Sequence, residues 1–385
     1  MKRQSQDKSK KIHVVFVVTN DMVTDRRMDR ICNSLYKHGF SITLFGIRSE
    51  DNRNGLKRKY HTHPCRLWSQ KGPLFYLEFN VRMLIKLLFT PFDAACAVDT
   101  DTLLAVRVAT WMKRKKMIFD AHESFIETPE LYKRHWVKSI WKVIDFLFAR
   151  RLSATYTINE MMADRLSKYY GIPFEVILNV PELDDKPKLE TTPSKSIDPY
   201  ILLYQGVINQ GRWVEEYIRA LAYLPFCHLW LVGVGDLFDS LKKYSEQQPY
   251  ASRIHWFGRV EPPQLKDITS KAFIGLNVLS ENSQSYHYSL ANKFFDYMHS
   301  GIPSVNSPFP NYRRIIETYQ CAVYLDVITI PCFVDCIQRM IDSPEIYTGL
   351  KMHTIQASRD FSWQHEESKL INLYDRVLGH SNTLI

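Results

Sequence analysis

Apolar positions along the chain fall into two rhythms that alternate from end to end. Lys11 to Thr19 (KIHVVFVVT) is an unbroken, β-branched apolar run, which predicts a strand buried on both faces. Asp25 to His38 then places Met28, Ile31, Cys32 and Leu35 on one helical face, and Gly39 closes it. Ser41 to Gly46 reads as a second strand, and a strand–helix–strand opening argues for a doubly wound parallel sheet. Further strands are expected at Asp93 to Val98, Lys116 to Asp120, Ala154 to Ile158 and Phe174 to Leu178. Helices fill the gaps, among them Leu74 to Phe89 and His135 to Arg151.

Pro181 to Pro199 (PELDDKPKLETTPSKSIDP) interrupts this rhythm with a polar, proline-rich stretch that reads as a linker. The pattern then restarts. Strands are expected at Tyr200 to Tyr204, His228 to Val232, Ile254 to Phe257, Ala272 to Leu276 and Ser304 to Val305, with a helix over Trp213 to Ala222. The fold class is therefore α/β, with two Rossmann-like doubly wound domains (residues 11–180 and 200–358) facing a central cleft. Both would aim their sites at that cleft, because ligands bind beyond the carboxyl ends of parallel strands.

Bulk composition agrees with this plan. A chain of 385 residues suits two domains, and 45% apolar residues with 24% charged ones allow two sizeable cores. No run of about 20 uncharged apolar residues is present, so no membrane-spanning helix is expected. Residues 1–10 are polar and basic and read as a disordered tail without the apolar core of a signal peptide. Seven scattered cysteines, with only Cys332 and Cys336 close together, suggest reduced cytoplasmic thiols and no zinc site. The net charge of +9 divides unevenly: residues 1–180 carry +13 and the remainder −4. A basic half of this kind fits an anionic surface, either a membrane or nucleic acid.

Four stretches carry candidate chemistry. In Tyr204 to Arg212 (YQGVINQGR), Gly206 and Gly211 free a strand-to-helix loop whose amides, with Arg212, suit a phosphate. An ordinary glycine turn with a solvated arginine fits it as well. Gly233 and Gly235 mark a second such turn. In Ser289 to Ser304 (SLANKFFDYMHSGIPS), Ser289 reads as a helix N-cap. The opening Ser289-Leu290-Ala291-Asn292-Lys293 would present amides, a hydroxyl and an ammonium to an anion. Asp296, further along, suits the two hydroxyls of a ribose, or simply a helix surface. In Phe119 to Glu123 (FDAHE), a strand end places Asp120, His122 and Glu123 at the rim, where His122 could donate to a sugar hydroxyl or shuttle a proton. In Thr19 to Arg27 (TNDMVTDRR), Asn20, Asp25 and Arg26 are candidates for contact with acceptor or donor; the plainer reading makes Asp25 an N-cap with Arg26 and Arg27 in solvent.

These stretches, in this order, resemble the bacterial family 4 (group 1) glycosyltransferases of the GT-B fold. The resemblance is carried by DRRMDRICNSLYKHGF, AVDTDTLLA, FDAHESFIETPEL, LLYQGVINQGR and, most specifically, SLANKFFDYMHSGIPSVNSPFPNYRRIIE. It implies a metal-independent, hexosyl-type transferase whose C-terminal domain holds a nucleotide-diphosphate sugar. Gly206, Arg212, Gly235, Ser289, Leu290, Lys293 and Asp296 would bind the donor, with Arg212 on phosphate and Asp296 on ribose. His122, flanked by Asp120 and Glu123, would contact the transferred sugar. The sugar nucleotide is a substrate, and neither cofactor nor metal is implied. Residues 359–385 resemble the family's tail, a helix returning to the first domain. Two positions depart from the pattern: Tyr288 stands where the first of two paired acids is usual, and Val207 follows the strand-end glycine in place of a basic residue.

The expectation is thus a retaining glycosyltransferase acting on a saccharide or lipid-linked acceptor in polysaccharide or lipopolysaccharide synthesis. It would be cytoplasmic, with the inner face of the plasma membrane as an anionic surface for Leu74 to Phe89 and His135 to Arg151; burial against the sheet also fits both segments. A GT-B enzyme of another type, such as a sugar-nucleotide epimerase, is the alternative. A nucleic-acid partner is not expected, because no zinc finger, helix-turn-helix or aromatic-basic RNA motif is visible. No glycine follows the first strand before Gly39, which argues against a dinucleotide dehydrogenase.

Overall fold

The computed structural model describes residues 11–48, 58–69, 72–122, 152–183, 199–281 and 284–380. The chain divides into two compact units, one of residues 1–178 and 366–385 and one of residues 179–365. The proposed tail 1–10, the helix at His135 to Arg151, Glu123 and most of the linker lie outside the described residues.

The first unit is built on seven parallel strands, β1 (His13–Asp21), β2 (Ser41–Ile47), β3 (His61–Cys65), β4 (Ala94–Val98), β5 (Lys116–Ala121), β6 (Ala154–Thr157) and β7 (Glu175–Val176). Their spatial order is β3-β2-β1-β4-β5-β6-β7. Val14, Val15, Phe16 and Val17 of β1 are fully buried, as their unbroken apolar run requires of a central strand. Helix α1 (Arg26–Lys37) starts where expected, because the Asp25 carboxylate accepts the Met28 N–H at 2.9 Å. Strand β3 was not foreseen. Its sequence HTHPC lacks apolar alternation, and it survives at the sheet edge, where four of five residues are exposed and Pro64 is tolerated.

Helix α2 (Pro73–Phe89) buries Phe79, Asn80, Met83 and Leu87, and packs against α3 (Thr100–Lys113). The Asn80 amide fastens the pair, donating to the Asp101 carbonyl at 2.8 Å and accepting the Ala105 N–H at 3.1 Å. The opposite face of α2 exposes Leu74, Leu77, Val81, Ile85 and Phe89. Helix α4 (Glu160–Tyr170) follows β6. The last helix of the chain, α13 (Trp363–Leu378), lends Leu370, Leu373 and Tyr374 to the core of this unit. The Tyr374 ring lies 6.1 Å from Phe16 and 6.4 Å from both Phe40 and Tyr156.

The second unit has six parallel strands: β8 (Tyr200–Gln205), β9 (Cys227–Val232), β10 (Ile254–Gly258), β11 (Ile274–Asn277), β12 (Ser304–Asn306) and β13 (Val323–Tyr324). Their order is β10-β9-β8-β11-β12-β13. Its helices are α5 (Val214–Ala220), α6 (Phe238–Glu246), α7 (Pro262–Ser270), α8 (Gln284–His287), α9 (Asn292–His299), α10 (Pro310–Tyr319), α11 (Ile330–Asp342) and α12 (Pro344–Asp360).

Two expected helix starts are corrected. Trp213 is outside α5 in a left-handed conformation (φ 61°), with its ring packed 5.3 Å from Tyr217 and 5.6 Å from Phe333. Ser289 caps nothing: α9 begins three residues later, and the Ser289 hydroxyl donates back to the Tyr286 carbonyl at 2.7 Å. The stretch between is held instead by Tyr312, whose hydroxyl accepts the Ala291 N–H, and by Asn311, whose amide donates to the Tyr288 carbonyl.

Each sheet therefore reverses its strand order once, between β1 and β4 and between β8 and β11, the place where doubly wound sheets bind ligands. No helix among the described residues is long and apolar enough to cross a membrane. Truncating Tyr374 to alanine removes a fully buried ring from the first core, and should lower stability by about 3–5 kcal/mol. Chemical denaturation measures this; a loss below about 1 kcal/mol would show that α13 contributes little.

Candidate functional site

In the first unit, polar side chains gather at the carboxyl ends of β1, β4 and β5. Asp120, at the end of β5, is fully buried and pairs with the guanidinium of Arg27, the second residue of α1. The Arg27 Nη2 to Asp120 Oδ1 distance is 2.9 Å, and Arg27 Nη1 donates to the Ile177 carbonyl at 2.9 Å. His122 stands two residues beyond. Its Nε2 is 3.1 Å from Asp120 Oδ2 and 2.9 Å from Arg27 Nε, and its Nδ1 is 3.6 Å from Asp99 Oδ2. Asp99 also accepts the backbone N–H of His122 at 2.6 Å. Across the β1/β4 reversal, the Thr19 hydroxyl donates to Asp101 Oδ2 at 2.5 Å.

Asp99 holds a backbone conformation (φ 61°, ψ 164°) that is nearly restricted to glycine. A side chain kept there costs about 1–3 kcal/mol, and such strain gathers at functional sites. Here it lets one carboxylate meet both the backbone and the ring of His122.

The charges follow from this packing. Burial works to raise the Asp120 carboxyl, but Arg27 and His122 outweigh it and hold Asp120 at about 2. Burial works to lower His122, but Asp120 and Asp99 outweigh it and raise the imidazole to about 9. At neutral pH His122 is thus a cation. Nε2 lies between Asp120 and the Arg27 guanidinium and Nδ1 faces Asp99 at 3.6 Å, so the ring offers charge and a hydrogen bond before it offers a base. Burial, with the Asp99 charge beside it, pushes Asp101 up to about 7.

In the second unit the corresponding ends are those of β8 and β11. Gly206 follows β8 and Gly233 follows β9, both at φ 134°, and a Cβ on Gly233 would overlap the Gly206 carbonyl. Two strand ends are thereby drawn together beside the first turn of α9. Gly235 packs against Ile208 and Asn209 of the same loop. Lys293, in that first turn, points under the Gly206 loop. It is 8% exposed, and its Nζ is buried with no hydrogen-bond partner among the described residues, 3.8 Å from the centroid of the Tyr204 ring. Burial, then the nearby Arg212 charge, hold its pKa well below the ordinary lysine value. Cation–π attraction offsets only part of the cost of such a desolvated ammonium.

Arg212 is half-buried, with its guanidinium 4.9 Å from the Tyr286 ring. One turn after Lys293, the Asp296 carboxylate accepts from Gln205 Nε2 at 3.0 Å. The Gln205 carbonyl in turn accepts the Thr269 hydroxyl at 2.9 Å, so the glutamine is locked in one orientation.

The sequence candidates thus sort by position. Asp120 and His122 come together at the β5 end, while Gly206, Gly235, Arg212, Lys293 and Asp296 surround the β8 end. Ser289 and half-buried Leu290 belong to the connection before α9. Asn20 donates to Asp25 at 3.2 Å, so both serve the start of α1, and Arg26 is exposed. The placement of both arginines in solvent holds for Arg26 and fails for Arg27, which Asp120 and the Ile177 carbonyl draw inside. Sequence reasoning also missed Thr19, Asp99, Asp101 and Gln205. Their one signal is a polar residue at or just past the carboxyl end of a strand, a place that turns and caps fill equally often.

No family model matches the chain, and no curated protein matches it by sequence. Solved structures do match in three dimensions. Sucrose-phosphate synthase from Thermosynechococcus elongatus superposes with a TM-score of 0.73 at 13% identity, covering 96% of this chain and all of the other. Anabaena HepE in complex with UDP gives 0.71 at 12% identity, covering 95% of this chain and 100% of that one. WaaG, a glycosyltransferase involved in lipopolysaccharide biosynthesis, gives 0.71 at 13% identity with the same coverage. The chain has the fold of the GT-B glycosyltransferases, two parallel sheets of seven and six strands clad in helices.

The raised carboxyl of Asp101 makes a prediction about pH. Its pKa is higher folded, about 7, than unfolded, so between pH 4 and 7 the folded chain binds more protons and this group costs stability as pH rises. Asp101→Asn should remove a slope of up to about 1.4 kcal/mol per pH unit in that window. Denaturation midpoints measured from pH 4 to 7 check it; equal slopes in both proteins would show that Asp101 titrates normally.

Proposed function

We propose that the protein transfers a hexose-type sugar from a nucleotide-diphosphate sugar to a saccharide or lipid-linked acceptor, in the manner of the family 4 enzymes its sequence resembles. The observation that carries this reading is Lys293, a buried amine with no carboxylate or hydrogen-bond partner among the described residues, at the strand-order reversal of the second unit. A diphosphate beneath the Gly206 loop would supply the missing acceptor oxygens, with Arg212 as a second cation. Asp296, oriented by Gln205, would take the ribose hydroxyls. UDP is the first nucleotide to test, because Anabaena HepE was solved with it.

In this reading the bond from the sugar's anomeric carbon to the diphosphate breaks, and the electron pair leaves on phosphate. Lys293 and Arg212 offset that charge. The acceptor hydroxyl forms the new bond and gives up its proton to the departing diphosphate oxygen. His122, held as a cation, donates to a hydroxyl of the transferred sugar, and Arg27 and Asp99 fix its orientation. The reaction retains configuration and uses no metal.

An anionic membrane surface fits the outer face of the first unit. The exposed stripe of α2 ends at Ile85 and Phe89, beside exposed Trp111 and Met112 of α3. Lys113 ties the two helix ends by donating to the Leu87 and Thr90 carbonyls, and exposed Arg114, Lys115 and Lys116 follow it in sequence, Lys115 paired with Asp93. Exposed apolar side chains followed by a run of basic residues suit the interface of anionic lipid. Such an enzyme would work at the cytoplasmic face of the plasma membrane on surface-glycan precursors.

Two measurements test these readings. Lys293→Met removes a buried polar amine without a hydrogen-bond partner among the described residues, so it should raise thermal stability while weakening UDP binding about 10- to 100-fold by calorimetry. Wild-type UDP affinity in the variant would remove the donor site, and release of an epimerised sugar nucleotide without acceptor would replace transfer with epimerisation. The protein should also float with vesicles rich in anionic lipid and stay unbound to neutral ones. Phe89→Ser with Trp111→Ser should cut the floated fraction several-fold, and unchanged flotation would reject the patch.

A further inference from the structure

At the far end of α1 from its buried arginine, the first unit gathers three side chains that the proposed transfer reaction does not use. His38 closes α1. Asp375 lies in the last turn of α13, and His380 follows that helix after the turn at Gly379. One coordinating atom from each falls within 4.8 Å of the other two. His38 Nε2 approaches Asp375 Oδ2 at 2.9 Å and Oδ1 at 3.2 Å. The His380 ring is fixed 4.7 Å from Phe40 and 5.8 Å, edge-on, from His38. Its Nε2 is buried and has no hydrogen-bond partner among the described residues.

An ion pair between His38 and Asp375 accounts for two of these groups and leaves the third unexplained. A metal ion accounts for all three. Zinc sits about 2.0–2.2 Å from imidazole nitrogen and carboxylate oxygen, so neighbouring ligand atoms stand roughly 3.3–3.5 Å apart. Side-chain rotations of about an ångström bring the present cluster to that spacing. Two imidazoles and one carboxylate suit zinc, cobalt, nickel or copper, whereas magnesium and calcium prefer all-oxygen sites. His38 and Asp375 are 17% and 23% exposed, which leaves an entry path and room for a water as fourth ligand.

We propose that His38, Asp375 and His380 bind one divalent transition-metal ion of the zinc class, which clips the end of the C-terminal helix to the end of α1. The site is structural and separate from the metal-independent reaction proposed above. Zinc-ligand spacing in the sequence did not reveal it, because 337 positions separate His38 from Asp375.

The test uses the full chain with any affinity tag removed and prior dialysis against a chelator. Titration with Co2+ should give d–d absorption that saturates at one equivalent, and Zn2+ should displace it. Zn2+ should raise the unfolding temperature, and chelator should reverse the rise. His380→Ala and Asp375→Asn should each weaken Co2+ binding at least tenfold while melting like the metal-free wild type, whereas His353→Ala should bind normally. Absence of saturable binding overturns the proposal. So does an affinity unchanged in both variants, which would assign the ion to other donors.

Discussion

A parallel sheet built from right-handed β–α–β crossovers brings the start of every crossover helix to the same edge, and the chemistry described above depends on that constraint. Strands end there, helices begin there, and the amides and side chains of the turns have no partner within the sheet. Arg27, Asp99, Asp101, Asp120 and His122 occupy that edge in the first unit. Gly206, Arg212, Gly233 and Lys293 occupy it in the second. Neither group could assemble on an antiparallel sheet, whose turns alternate between edges.

The two edges use charge in opposite ways. In the first unit, cations and carboxylates pair within hydrogen-bond distance, and pairing decides each protonation state: Asp120 is held at about 2 and His122 at about 9. In the second, Lys293 has an aromatic face and no anion, so desolvation wins and its charge is disfavoured. A paired network is complete in itself and holds one geometry. A buried amine facing only an aromatic ring is incomplete, with its hydrogen-bond donors unused among the described residues.

Parts of this were legible along the chain. The strands β1, β2, β8 and β9 follow from apolar runs whose burial needs no partner to be named. The N-cap at Asp25 follows from one side chain and an amide three residues on. Glycine at 206 and 233 follows from a left-handed turn after a strand. Local signals failed at α9: Ser289 is the better N-cap by residue type, yet a distant residue, Tyr312, holds the Ala291 N–H where the helix starts. Edge strand β3 left no signal, because exposure removes the apolar alternation that marks a strand.

The sequence by itself therefore determined the alternation of strands and helices, the two-unit plan and the residue types at the strand ends, all of which rest on neighbours within a few positions. Tertiary structure alone decided which of those residues meet. Arg27 and Asp120 are 93 positions apart, Gln205 and Asp296 are 91, and Thr19 and Asp101 are 82. Whether a lysine in a helix's first turn is solvated or sealed beneath a glycine loop is likewise set by strands that join from elsewhere in the chain. Burial and pairing are properties of the assembled sheet edge, and they turn common residue types into a site.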